Sequence, residues 1–103
     1  MQIFRGKGKI YDSRENYLDD VTYEIYQKSS NGTAGAEWRG EITPDKAIMP
    51  VGNHIIELDD GRRGPCIIKI KTTSSFGLVV DSYDLEGTGS LTHQKEYSHD
   101  ISD

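Results

Sequence analysis

The 103 residues predict an all-β protein, a small antiparallel β-barrel of six to seven strands with the first and last strands paired. Three observations predict it. Eleven Ile and eleven Gly stand against five Leu and three Ala, the reverse of a helical composition, in which Ala and Leu lead. Apolar residues recur with period two through most of the chain, so that one face of each segment is apolar and the other polar. Phe4-x-Gly6-x-Gly8-x-Ile10 near the start and Leu85-x-Gly87-x-Gly89-x-Leu91 near the end share one design, and inward glycine recurs where curved sheets bend or approach closely. Several short strands in so short a chain must curl to bury a face.

Taken in order, residues 2–10 place Phe4, Gly6, Gly8 and Ile10 on one face and Arg5, Lys7 and Lys9 on the other. Residues 17–26 alternate Val21, Tyr23 and Ile25 against Thr22, Glu24 and Tyr26. A hairpin loop follows over 29–35, with Asn31-Gly32 supplying positive φ angles. A third strand over 36–42 points Trp38, Gly40 and Ile42 one way and Glu37, Arg39 and Glu41 the other. Pro44 and Pro50 make 43–53 a long loop. The next hairpin turns at Asp59-Asp60-Gly61. A two-residue turn would set Ile56 against Pro65 and break the Cys66, Ile68, Ile70 face. A three-residue loop pairs Leu58 with Arg62, Ile56 with Gly64 and His54 with Cys66, which preserves parity. Residues 76–85 add one more strand before the glycine-rich closing segment. Residues 1–92 thus form a single barrel domain, and 93–103 a polar tail that frays.

The formal charge of -5 argues against a generic nucleic-acid binder, which needs clustered Lys and Arg. No apolar run has the length of a membrane span, and the first residues lack the apolar stretch of a signal peptide, so a cytoplasmic location is expected. Cys66, the single cysteine, makes no internal disulfide and no zinc cluster. In that setting Asn31-Gly32-Thr33 reads as turn chemistry rather than a glycosylation acceptor.

Candidate chemistry is sparse. His54 sits on an inward strand position, whereas His93 and His99 fall in the tail at a spacing that suits no structural zinc site, so neither metal nor cofactor is expected. Asp19-Asp20 and Asp59-Asp60 are paired carboxylates, but adjacent strand residues point to opposite faces. The first pair reads as the polar start of a strand and the second as the opening of a hairpin loop. Trp38, Tyr23 and Phe4 share the inward parity and read as core; Tyr26 falls outward, where cross-strand packing or a partner surface would engage it. Arg62, Arg63, Lys69 and Lys71 are the one basic concentration, either a solvated face or an anion site built on arginine forks.

The run Thr72-Thr73-Ser74-Ser75-Phe76-Gly77 resembles the Asp/Asn-x-Ser-x-x-Gly element of PilZ domains, six-stranded barrels that bind cyclic di-GMP. Thr72 stands where that family has Asp or Asn, and Arg62-Arg63 departs from its Arg-x-x-x-Arg pair. A second resemblance covers more of the chain. The Gly6-x-Gly8 strand, the Tyr-rich strand through Tyr23, Trp38-Arg39-Gly40, the segment from Leu58 to Gly64 and the closing Gly87-x-Gly89-x-Leu91 are together similar to a group of small bacterial β-barrel proteins of unknown function. That resemblance implies a free-standing bacterial domain and carries no catalytic residue. The expected function is a non-enzymatic binding or protein-interaction module, monomer or homodimer. Its expected surface is the rim of Asp59, Asp60, Arg62 and Arg63, taking a protein partner or a small anionic ligand. A PilZ-like cyclic dinucleotide-binding domain is the alternative, and a barrel enzyme using a carboxylate or His54 as acid/base is the second.

Overall fold

The computed structural model describes residues 2–28, 37–46, 49–70 and 82–93. Among them the chain forms strands β1 (Gln2–Asp12), β2 (Tyr17–Lys28), β3 (Glu37–Pro44), β4 (Gly52–Glu57), β5 (Arg62–Ile70), β6 (Tyr83–Gly87) and β7 (Thr92–His93), with no helix. All pairings are antiparallel. The ring runs β1-β2-β3-β6-β5-β4 and returns to β1, a closed six-stranded barrel with β7 laid beside the start of β5. The first and last strands of the ring pair as expected. The partner that meets β1 at this seam is β4; the glycine-rich segment begins in β6, which lies across the barrel between β3 and β5.

The isoleucine excess has a simple destination. Ile10, Ile25, Ile42, Ile56 and Ile68 are each fully buried, one from each of β1 to β5, and Leu85 of β6 completes the belt. Each such side chain contributes about 1.5–3 kcal/mol of burial, and their β-branched shape fits the pleat. The alternation that located the strands holds, with Val21, Tyr23, Ile25, Trp38, Ile42, Cys66 and Ile68 inward. Phe4 is half-buried against the same core.

The two mouths are plugged differently. At one, the indole of Trp38 lies across Gly87 and donates from Nε1 to the Gly89 carbonyl (2.6 Å), with Leu91 packed at the core's edge. At the other, Met49 is buried and its N–H donates to the Tyr83 hydroxyl (3.0 Å). Asp19, at the polar start of β2 as expected, also lies at this second mouth. It is 4% exposed and accepts from the N–H groups of Asp20 (2.8 Å) and Lys46 (2.8 Å), which fastens the segment after β3 to β2. The Asn31-Gly32 turn, the start of the strand expected over 76–85, the Thr72–Gly77 motif and the tail beyond His93 lie outside the described residues.

Candidate functional site

The β4–β5 hairpin has the three-residue loop that parity required. Leu58 N–H donates to the Arg62 carbonyl (2.8 Å), Gly61 N–H to the Leu58 carbonyl (3.0 Å), and Gly61 adopts φ of 94°. His54 faces Cys66 and Ile56 faces Gly64. The four residues expected at this rim divide between two surfaces, because successive strand residues point to opposite sides.

Asp59, Asp60 and Arg62 gather over the Trp38 mouth. The Tyr23 hydroxyl donates to Asp59 Oδ1 (3.0 Å) and accepts from Asp59 N–H (3.2 Å). Asp60 accepts from the backbone N–H (3.0 Å) and Nε (2.9 Å) of Arg62, whose guanidinium lies 4.2 Å from the centre of the Phe4 ring. Arg63 points outside. It sits 4.6 Å over the Tyr11 ring, donates from Nη1 to Glu15 (3.3 Å), and lies 3.9 Å from Glu57, which also accepts from the Tyr11 hydroxyl (2.7 Å). All four are engaged within the chain, and both arginine side chains are less than one-fifth exposed. The rim charges therefore hold the hairpin on the barrel.

The interior residues with chemical potential are likewise occupied. His54 is 4% exposed, and its Nδ1 donates to the Gly52 carbonyl (2.9 Å). Burial pushes the Cys66 thiol up to about 12. Among the described residues no group of three His, Cys, Asp or Glu side chains could hold a metal ion.

Two adjoining hollows lie on the outer wall instead, about 390 and 300 Å³, over β2, β3, β6 and the end of β5. Tyr26, Arg39 and Glu86 line both. Strand register explains this meeting: Ile3, Tyr26, Arg39, Glu86 and Ile67 occupy one row across five strands. Two neighbouring carboxylates are committed. Glu24 takes Arg5 and the Tyr26 hydroxyl, and Glu86 takes Lys69 (3.4 Å). Arg39 is exposed and meets no carboxylate within ion-pair distance among the described residues. Its outward direction was legible from alternation. Its place between Tyr26 and Glu86 was not, because that needs the β3–β6 pairing.

No protein-family model, curated protein or solved structure matches the chain. Neither hollow touches His54. Both hollows are shallow and lined mainly by charged side chains, unlike the apolar pockets that enclose small ligands.

Proposed function

We propose that the protein is a non-enzymatic binding module that docks a protein partner on the outer wall of β2, β3 and β6, centred on Tyr26 and Arg39. The observation that carries this reading is the exposed Arg39, without an ion pair among the described residues, placed between Tyr26 and Glu86 so that it lines both hollows, while Arg5 and Lys69 nearby are paired. Arginine and tyrosine dominate interface energetics because each combines a large flat contact area with directed hydrogen bonds, and arginine adds a two-pronged grip on carboxylates. The setting we infer is a bacterial cytoplasm, where a lone buried Cys66 stays reduced.

Native mass spectrometry and affinity capture test the reading together. Arg39→Ala and Tyr26→Ala should each release a partner that the parent protein retains, with circular dichroism unchanged. Equal retention by all three proteins would remove this surface, and a co-purifying small molecule held by the parent would replace a protein partner with a ligand. Arg62→Ala and Arg63→Ala, by contrast, should lower the melting temperature by loosening the hairpin.

A further inference from the structure

The barrel seam leaves part of β1 with a single neighbour. β4 pairs with positions 9–12 of β1, whereas residues 2–8 pair with β2 alone among the described residues. The hairpin is the cause. At Leu58 the chain leaves the line of β4 and turns over the barrel mouth, where Asp59 bonds Tyr23 of β2 and Arg62 covers Phe4. Alternate N–H and C=O groups along residues 2–8 consequently face away from β2, and such groups are satisfied by water or by an added strand.

The side chains of this stretch select the strand. Ile3, Arg5 and Lys7 point outward, with Ile3 48% exposed and the Arg5 and Lys7 side chains 67% and 57% exposed. Their carboxylate partners, Glu24 and Asp45, lie toward β2 and β3; on the seam side nothing among the described residues stands opposite. A second copy of the chain matches poorly, since full-length antiparallel pairing of residues 2–8 with themselves lays Arg5 on Arg5, and like charges directly opposite repel. The net charge of -5 does not exclude an acidic segment. Screening limits exposed charges to a range of ~8 Å at physiological ionic strength, whereas facing side chains in a sheet sit within ~5 Å.

We propose that residues 2–8 of β1 accept an extended acidic segment of a partner protein as an added strand. Its carboxylates would face Arg5 and Lys7 and an apolar side chain would face Ile3. Strand addition draws affinity from the backbone and specificity from alternate side chains. This surface is separate from the Arg39 wall, although it continues the row of Ile3 and Tyr26 by one strand.

A capped peptide Thr-Glu-Thr-Glu-Thr-Val-Thr tests the proposal on the full chain, read by amide hydrogen exchange and NMR titration. Saturable binding that protects alternate amides within residues 2–8 is expected. It should weaken about tenfold in Arg5→Gln/Lys7→Gln, which loses two cross-strand charge pairs, and should vanish when alternate peptide nitrogens are methylated. The Lys counterpart of the peptide keeps the comparison decisive if the double variant fails to fold. Absence of binding, equal binding of the Glu and Lys peptides, or binding indifferent to methylation would overturn the proposal. So would protection of these amides without peptide: concentration-dependent protection would assign the edge to a second copy, and protection in a monomer to the chain's own terminal residues.

Discussion

Trp38 shows how one side chain fixes its surroundings. A Cβ on Gly87 would lie 2.2 Å from the indole Cε2, and one on Gly8 would lie 2.2 Å from the Glu57 carbonyl oxygen. Both glycines are therefore required by closeness of packing, one to a ring and one to backbone at the β1–β4 seam. Gly87→Val and Gly8→Val should each destabilise the fold by about 1–3 kcal/mol, read as a fall in urea midpoint; unchanged midpoints would contradict barrel closure at these points. Cys66 supports a second prediction. A buried thiol pushed up to about 12 is almost wholly protonated at neutral pH, so iodoacetamide should leave the folded protein unlabelled and react after denaturation. Rapid labelling of the native protein would mean that the β4–β5 pair opens easily. The inward glycines were legible from parity alone. The residues they press against were not, because contacts between strands distant in sequence leave no local pattern.

The β4–β5 hairpin was read correctly because parity allows only one loop length to keep Ile56 and Ile68 on the same face. Gly61 in the left-handed region closes that loop, and Gly61→Ala should cost about 1–2 kcal/mol, measured against the melting temperature of the parent. A neutral outcome would show that the loop can exchange to another turn. The charges on the same hairpin were legible in type but not in their partners. Asp60 and Arg62 are close in sequence and satisfy each other, while Arg62 and Arg63 part to opposite sides, so a cluster in the sequence becomes two separate anchors. The partners of Asp19 were not legible for a related reason: the second is the backbone N–H of Lys46, 27 residues away, and backbone donors are invisible in composition. The wall of Tyr26 and Arg39 needed the order β2-β3-β6-β5, which strand periodicity does not supply.

For the molecule as a whole, ionisation is arranged to keep stability broad in pH. The carboxyl of Asp12 is held below its ordinary 3.8 by the N–H of Asn16, and that of Glu24 below 4.5 by the Tyr26 hydroxyl and then Arg5. A depressed carboxyl contributes fully above its unfolded value, and its contribution is lost as pH falls through the folded one. The phenols work in the other direction. Tyr11 is raised by Glu57, Tyr17 to about 12 by Asp20, Tyr23 chiefly by burial and Tyr26 by Glu24. A raised phenol contributes fully below 10.0, and its contribution is lost as pH rises through the folded value. Melting temperature should accordingly stay nearly level between about pH 5 and 9 and fall on both sides; a steep slope inside that window would contradict this arrangement. The strand order also has a consequence in time. A chain is synthesised from its N-terminus, and β6, the sixth of seven strands among the described residues, belongs between β3 and β5. Until Gly87 has left the ribosome, both neighbours lack the strand that joins them. Completion of the ring is thus a late and single event, and a chain stalled before residue 83 would offer two open ladders to other nascent chains.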